Sequence, residues 1–185
     1  FMSWEQVYEQ WVHEENLEEN LKKQLNDLGE DPEKLEDAFY APLEFGTAGM
    51  RGILGPGINR MNIYTVRQAT EGLARFMDTQ DPETKRRGVA IAYDSRHMSP
   101  EFVMEAAKTL AKHDIPSFVF ESLRPTPELS FAVRYFKAFA GIMITASHNP
   151  AAYNGYKVYG EDGGQMPPAD ADALTKYVRS IENPL

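Results

Sequence analysis

Short apolar segments alternate with amphipathic segments through the middle of the chain, and this pattern constrains the fold more than any other feature. The runs "GVAIAY" (88–93), "PSFVFE" (116–121) and "AGIMIT" (140–145) have the length and composition of strands. The segments between them have helical periodicity, and Ser99 and Thr126, each followed by proline, are predicted to cap these helices. Strands joined by helices form βαβ units, so we predict a largely parallel sheet with right-handed crossovers.

The segments on either side complete an α/β domain. "YKVYG" (156–160) follows the third strand too closely for a helical crossover, so we expect it to pair antiparallel. Helices are predicted for residues 63–77, behind an Asn62 cap, and for residues 168–182. The segment 44–62 holds five glycines and little periodicity, which predicts an irregular loop that folds back beside the sheet.

The N-terminal part of the chain has a different pattern. Residues 3–28 carry a helical apolar stripe with a break near 14–16, and a second helix is predicted to begin after Asp31. We therefore predict an N-terminal helical extension, residues 1–40, followed by one domain over residues 41–185. The expected fold class is α/β, with a mixed, mostly parallel sheet flanked by helices.

Charge and cysteine content narrow the class of protein. The net charge is −9, but residues 1–45 carry −10 while residues 46–158 carry +4. The overall acidity argues against a nucleic-acid partner, whereas the basic middle could hold a small anionic ligand. The chain has no cysteine, which excludes disulfides and cysteine metal sites. Its apolar runs are too short to cross a bilayer, so we expect a cytoplasmic protein with no membrane partner.

Four polar clusters lie in or beside this framework. "YDSR" (93–96) follows the first strand of the alternation, "TASHNP" (145–150) follows the third, and "YNGYK" (153–157) leads into the next strand. The glycine-rich "GTAGMRG" (46–52) could fold back beside them. Ligands of open α/β sheets collect outside the carboxyl ends of the strands, so these clusters are candidates for a binding site. Each alone also has a structural explanation as a cap, turn or loop.

Two familiar catalytic arrangements are not supported. Ser147 and His148 are adjacent, and neighbouring side chains rarely point at each other, so they do not form a hydrolase dyad by proximity. The "GxSxG" elbow of α/β-hydrolases and the "GxxxxGK[ST]" phosphate loop do not occur.

Taken together and in this order, the four clusters resemble the N-terminal domain of the α-D-phosphohexomutase superfamily. "TASHNP" is similar to the family's phosphoserine motif, which is highly specific, and the resemblance covers nearly all of residues 40–185. The acidic helical segment before "EFGTAGMRG" resembles the longer phosphoglucomutase and phosphopentomutase branch, and within it the bacterial α-phosphoglucomutases.

The resemblance implies a reaction and roles for individual residues. Ser147 would carry a phosphoryl group, donate it to a hexose monophosphate and recover the other phosphoryl group of the resulting bisphosphate. For this branch the expected reaction interconverts glucose 1-phosphate and glucose 6-phosphate through glucose 1,6-bisphosphate. Arg51 would contact the reacting phosphate, and His148 and Lys157 would handle the proton of the sugar hydroxyl, without a decision between them. Thr47 and Asn149 are expected to join these residues in holding substrate or phosphate.

Three further residues and a metal ion complete what the resemblance implies. Asp94, Arg96 and Asn154 are expected to support the serine loop. The family's Mg²⁺ would bind the phosphate on Ser147 together with three aspartates of a "DGDxDR"-type loop, which does not occur in this sequence. We therefore expect further domains of the same protein to supply the aspartates, the sugar-recognition loop and the distal phosphate contacts. The isolated domain is expected to be inactive.

Several alternatives stay open from the sequence. The substrate could be a pentose or mannose phosphate, because the loops that separate these substrates are absent from the chain. A non-catalytic module that binds sugar phosphates could also keep the motif. A serine hydrolase is the third possibility, and we do not expect it.

Overall fold

The computed structural model describes residues 2–122, 125–146 and 148–185, apart from the side chains of Pro125 and Thr126. Within these residues a sheet of five strands forms the centre of the molecule. The strands are β1 (Gly49–Ile53), β2 (Val89–Tyr93), β3 (Ser117–Glu121), β4 (Ala140–Ile144) and β5 (Tyr153–Tyr159). The three predicted strands of the alternation and the predicted strand near 156–160 are confirmed.

The sheet is mixed, as the sequence predicts. Its order is β1-β5-β4-β2-β3. Strands β3, β2 and β4 are parallel, β5 runs antiparallel to β4, and β1 runs antiparallel to β5. Four of the five strands in the described residues therefore point in one direction, which agrees with a mostly parallel sheet. The carboxyl ends of β1 and β4 lie at the same edge, beside the start of β5.

Helices cover both faces of the sheet. Those of the described residues are α1 (Trp4–Val12), α2 (Glu19–Leu28), α3 (Pro32–Phe39), α4 (Ile63–Asp78), α5 (Pro82–Arg87), α6 (Ser99–Lys112), α7 (Pro125–Tyr135) and α8 (Pro168–Arg179). The main core, which includes Leu73, Phe102, Ile142 and Leu174, lies between the sheet and helices α4, α6 and α8. A smaller cluster with Leu129, Val133 and Met143 packs α7 against the other face.

Helices α1 to α3 form a small core of their own that packs on the start of α4. Trp11 is 1% exposed, and its ring meets those of Phe39 and Tyr64 edge to face at 5.7 and 5.3 Å. The backbone N–H of Glu18 donates to the Tyr64 hydroxyl at 3.0 Å. The Arg60 guanidinium pairs with the carboxylate of Asp37 at 2.6 Å. These contacts attach the predicted extension to the domain.

Three sequence predictions need correction. The glycine-rich segment is not wholly irregular, because Gly49–Ile53 pairs with β5 as an edge strand. Ser99 is not the cap of α6: Met98 holds that position, and the Ser99 hydroxyl instead accepts a hydrogen bond from Asn154 at 3.0 Å. Helix α7 begins at Pro125, so Thr126 lies inside its first turn and not at the cap.

Other boundaries agree closely. The break between α1 and α2 falls where it was predicted. Asn62 caps α4, accepting from the backbone N–H groups of Tyr64 and Thr65. No helix in the described part of the chain has the length and apolar character needed to cross a membrane.

Candidate functional site

A polar cleft of about 610 Å³ opens beside the edge of the sheet formed by β1 and β5. Its walls include Thr47, Arg51, Thr145, Lys157 and Tyr159. Three of the four polar clusters noted in the sequence therefore meet here, namely those at residues 46–52, 145–150 and 153–157. The first of these lies far from the other two along the chain. We call this space the polar cleft.

Strand pairing places the two cations of the cleft at diagonal positions on one face of the β1–β5 ladder. Gly49 lies opposite Lys157 in the β1–β5 ladder, and Arg51 lies opposite Gly155. Tyr156 and Val158 are buried in the main core, so the alternation of β5 directs Lys157 to the opposite face, where it is exposed. Its Nζ lies 5.5 Å from the centre of the Tyr159 ring. Arg51 is also exposed, and its Nη1 donates to Asn149 Oδ1 at 3.3 Å.

Ser147 lies outside the described residues, but both of its flanks are described. Thr145 and Ala146 line the polar cleft, and the Asn149 N–H donates to the Ala146 carbonyl at 3.0 Å. His148 is exposed and forms no hydrogen bond or ion pair with any residue that the structure describes. It is not one of the residues that line the cleft.

Arg96 binds the backbone of the segment that follows Ser147. Its guanidinium donates to the carbonyl oxygens of Asn149 at 2.7 Å, Pro150 at 2.8 Å and Tyr153 at 3.1 Å. A planar group with several fixed donors suits this task, because it satisfies carbonyls on both sides of a turn at once.

Asp94 and Asn154 attach the same segment at its two ends. The Asp94 carboxylate accepts hydrogen bonds from the Thr145 hydroxyl and from the Arg96 backbone N–H. Asn154 is fully buried, and its side-chain amide donates to the carbonyl of His97 and the hydroxyl of Ser99, each at 3.0 Å. Buried polar groups with all partners present favour one loop conformation over others.

The cleft is favourable for an anion, although it also has an acidic wall residue, Glu44. Arg51 and Lys157 supply two positive charges at its mouth. Burial raises the pKa of the Tyr156 hydroxyl, which hydrogen-bonds to Thr70 at 2.9 Å, so this phenol stays protonated and acts as a structural group.

A metal ion fits less well. Among residues 2–122, 125–146 and 148–185, no group of three histidine, cysteine or acidic side chains is arranged to hold one. The Asp94 carboxylate already accepts two hydrogen bonds. The described residues therefore do not form a Mg²⁺ site by themselves.

The sequence predictions for the site fare unevenly. Thr47, Arg51 and Lys157 line the cleft, and Asn149 accepts a hydrogen bond from Arg51, whereas His148 is exposed and is not one of the described residues that line the cleft. Tyr159 and Glu44 were not predicted. Tyr159 could have been found, because it lies two residues after Lys157 on a strand and must share its face.

Comparisons with known proteins place most of the chain in one family. Residues 42–185 match the family model described as phosphoglucomutase/phosphomannomutase, alpha/beta/alpha domain I. A phosphoglucomutase from Staphylococcus epidermidis (strain ATCC 35984) is 43% identical over 169 residues, 91% of this chain and 30% of the relative. A phosphoglucomutase from Staphylococcus aureus (strain USA300) is 42% identical over 177 residues, 96% of this chain and 31% of the relative. The chain thus spans about a third of the length of these relatives.

Solved structures show the same fold. A protein from Thermus thermophilus, provisionally assigned as a phosphomannomutase, superposes with a TM-score of 0.64 at 31% identity, covering 75% of this chain and 30% of its own. The Paramecium phosphoglucomutase parafusin in its open form gives a TM-score of 0.56 at 17% identity, covering 77% of this chain and 27% of its own. With the family model matched over residues 42–185, the chain belongs to the phosphoglucomutase/phosphomannomutase family and contains its α/β/α domain I.

Proposed function

We propose that this chain is the serine-bearing domain of a phosphoglucomutase, which interconverts glucose 1-phosphate and glucose 6-phosphate. The observation that carries the proposal is the polar cleft, in which Arg51 and Lys157 face the segment that holds Ser147. The phosphoglucomutases that are 42–43% identical to the chain favour glucose phosphates as substrates.

The proposed reaction transfers a phosphoryl group twice. The 6-hydroxyl oxygen of glucose 1-phosphate attacks the phosphorus on Ser147, the bond from phosphorus to the serine oxygen breaks, and glucose 1,6-bisphosphate forms. The hydroxyl proton leaves to a base, and the serine oxygen receives a proton. The bisphosphate then turns over, and the serine hydroxyl oxygen attacks its other phosphorus. The bond from that phosphorus to the sugar oxygen breaks, the serine proton leaves to a base and the sugar oxygen receives a proton, which gives the isomeric monophosphate and restores phosphoserine. Phosphate esters hydrolyse very slowly without catalysis, so the phosphoserine can persist between substrates.

The residues of the polar cleft fit these steps. Phosphoserine carries a charge of about −1.5 to −2, and Arg51 and Lys157 would offset it. Arg51 would hold phosphate oxygens through its planar donors, with Thr47 and Asn149 beside it. The proton acceptor is Lys157 or His148, and Lys157 is the one of the two that lines the cleft.

Asp94, Arg96 and Asn154 would hold the serine segment in place. Their hydrogen bonds reach Thr145, the carbonyls after Ser147 and the loop that precedes α6. In this role they would affect turnover by keeping the serine oxygen in line with its target, without touching the substrate.

Magnesium and the rest of the protein belong to the same proposal. When bound, Mg²⁺ would stabilise negative charge on the transferred phosphoryl group, and this chain would supply only the phosphate on Ser147 as a ligand. Further domains, as in relatives about three times as long, would supply the aspartates and the sugar contacts. On this basis we expect the 185-residue chain alone to be inactive, and we keep the expectation of a cytoplasmic enzyme.

Substitution of Ser147 tests the function. The protein extended to the length of its relatives should convert glucose 1-phosphate to glucose 6-phosphate in a coupled dehydrogenase assay. Ser147→Ala should abolish this conversion, because the phosphoryl carrier is removed. Ser180→Ala is the matched control, since that hydroxyl donates to the Tyr177 carbonyl at the end of its own helix and does not line the polar cleft. Wild-type turnover in Ser147→Ala would refute the assignment.

Two related functions are separated by further measurements. The 31% identity to the provisional phosphomannomutase favours mannose phosphates as the second substrate class, and the same assay with mannose 1-phosphate compares the two. A non-catalytic sugar-phosphate module would carry no phosphate. Intact mass and peptide mapping of the extended protein should find phosphate on Ser147 if it is an enzyme of this kind.

A further inference from the structure

The side chain of Lys157 is held by packing and not by polar partners. Within the part of the chain that the structure describes, its ammonium group forms no hydrogen bond or ion pair, although Glu44 lines the same cleft. An exposed lysine samples many rotamers, and fixing it costs conformational entropy. An ammonium group that must meet a phosphoryl group in one place therefore needs another constraint, and two neighbours of Lys157 supply it.

Gly49 leaves room for the stem of Lys157. The two residues are partners in the β1–β5 ladder. A Cβ at Gly49 would lie 3.3 Å from Lys157 Cγ and 3.2 Å from the Tyr156 carbonyl oxygen, closer than such atoms normally approach. The φ of Gly49 is not positive, so its backbone conformation does not require glycine. The missing side chain therefore provides space, and the lysine stem lies against it.

Tyr159 holds the far end of the same side chain. It lies two residues after Lys157 on β5, so both side chains project from one face of the sheet. The distance of 5.5 Å from Lys157 Nζ to the centre of the Tyr159 ring is within the range of a cation–π contact. Tyr159 is half-buried and packs on the core cluster under helix α7. Its ring therefore offers the ammonium group a fixed surface.

We propose that Gly49 and Tyr159 form a slot that positions Lys157 toward the phosphoryl group on Ser147. We call this pair the lysine slot: Gly49 gives the stem its path, and the Tyr159 ring holds the ammonium end. Both are positioning residues, because they act through Lys157. The inference rests on the proposed function, since the phosphoryl group is that of the proposed phosphoserine. The slot serves Lys157 whether it offsets charge or transfers a proton.

A double-mutant cycle tests whether Tyr159 acts through Lys157. Tyr159→Leu removes the aromatic face but keeps a large apolar side chain on the core, whereas Tyr159→Phe keeps the ring. In the protein extended to the length of its relatives, Tyr159→Leu should lower kcat about two- to fivefold with little change in KM, as expected for loss of an exposed cation–π contact. Tyr159→Phe should retain most of the turnover. In a Lys157→Ala background, Tyr159→Leu should lower kcat no further, because the group it positions is gone.

A second readout reports the position of the lysine directly. In the 185-residue chain, the Tyr159 ring should shift the ε-methylene protons of Lys157 upfield in NMR spectra. Tyr159→Phe should keep this shift and Tyr159→Leu should lose it. Gly49→Ala should also change the shift and lower kcat, because the lysine stem must move by a few tenths of an ångström. This variant, at a separate position, guards against a folding defect in Tyr159→Leu, which thermal unfolding would detect.

The other outcomes would count against the slot or against the function. An equal fractional loss of kcat from Tyr159→Leu in both backgrounds would indicate a structural role, and the slot would be overturned while the proposed function stands. A loss in Tyr159→Phe as large as in Tyr159→Leu would also overturn it, because the hydroxyl and not the ring would then matter. Wild-type turnover in both Tyr159→Leu and Gly49→Ala has the same meaning. Absence of turnover in the extended wild-type protein would instead refute the proposed function itself.

Discussion

The polar cleft and a second, apolar groove lie toward opposite edges of the sheet, and the larger of the two is not the candidate site. The polar cleft, of about 610 Å³, adjoins edge strand β1. The apolar groove, of about 740 Å³, lies between edge strand β3 and helix α7. Aromatic side chains dominate its described walls: Phe118, Phe120, Phe131, Tyr135 and Phe136.

The chemistry of the two spaces differs more than their size. The polar cleft presents Arg51, Lys157 and the Thr47 hydroxyl. Among the described residues that line the apolar groove, Glu128 alone is charged, and its carboxylate accepts a hydrogen bond from Ser122 at 2.6 Å. A phosphate would therefore be bound in the first space and repelled from the second. The comparison teaches that converging polar groups identify a site for a charged ligand better than volume does.

Removal of both cations from the polar cleft should produce the largest loss of ligand affinity. Arg51→Ala combined with Lys157→Ala should weaken glucose 6-phosphate binding by roughly a hundredfold or more, because two charge-assisted contacts are lost. Phe131→Ala, in the apolar groove, is the matched control and should leave the affinity unchanged. NMR titration measures both. Equal losses in the two variants would mean that the ligand does not distinguish the two spaces.

A methyl group at Gly155 should disturb the polar cleft without removing either of its cations. A Cβ at this position would lie 2.6 Å from the Thr145 carbonyl oxygen and 3.0 Å from that of Met50, so β4 and β1 would have to move. Gly155→Ala should lower the free energy of unfolding by about 1–3 kcal/mol and displace the segment before Ser147.

Gly164→Ala is the control for that substitution. The three described atoms nearest to its Cβ would all belong to the Asp162 side chain, the first at 3.3 Å, and this exposed side chain can move. Urea unfolding compares the two variants. A Gly155→Ala protein as stable as Gly164→Ala would show that the sheet tolerates spreading at the cleft.

The smallest effect is expected in a third region, the ion-pair network around His113. Burial alone lowers the pKa of His113, but its hydrogen bonds to Glu71 at 2.8 Å and Asp78 at 2.7 Å, with their charges, raise it above the usual value. The stabilisation is therefore fully present below the unfolded pKa of about 6.5 and is lost as pH rises through the raised pKa. Because these side chains are partly exposed, we expect the free energy of unfolding to change by under about 1 kcal/mol.

Asp78 contributes with the opposite sign. Burial raises its pKa, but Lys85 and His113 lower it to below its ordinary value, so its stabilisation is lost as the solution becomes acidic. Urea unfolding at several pH values, with His113→Gln as the control, measures the network. If the free energy of unfolding rises with pH between about 6 and 8 in the wild type but not in His113→Gln, the expected direction of the pH dependence is wrong. His113→Gln should leave the affinity for glucose 6-phosphate unchanged, since His113 lines neither the polar cleft nor the apolar groove.

Local patterns in the sequence determine most of the fold. The strands at Val89–Tyr93 and Ala140–Ile144 are apolar throughout, and their bounds were predicted to within one residue. The edge strand Gly49–Ile53 was missed because its glycines and Arg51 carry no alternation, and its pairing with β5 is a contact between distant segments. The cap at Ser99 was wrong because a tertiary partner, Asn154, uses its hydroxyl.

The site was predictable only in part, and for a similar reason. The resemblance identified Arg51 and Lys157, but the sequence could not show that strand register places them at diagonal positions on one face of the β1–β5 ladder. The left-handed conformations of Thr47 and Ala48 could not be predicted from the sequence, because the core around Ala48 and the hydrogen bond from Val158 hold them. Properties that depend on tertiary contacts leave little local signal.

Mapping of glucose 6-phosphate binding onto the amide resonances of the 185-residue chain tests the central proposal most directly. Shifts that saturate together at Thr47, Arg51 and Lys157, with none at Val119 or Phe131, would support the polar cleft as the sugar-phosphate site. Shifts confined to the apolar groove at tens of millimolar ligand, a concentration at which even weak sites fill, would contradict it.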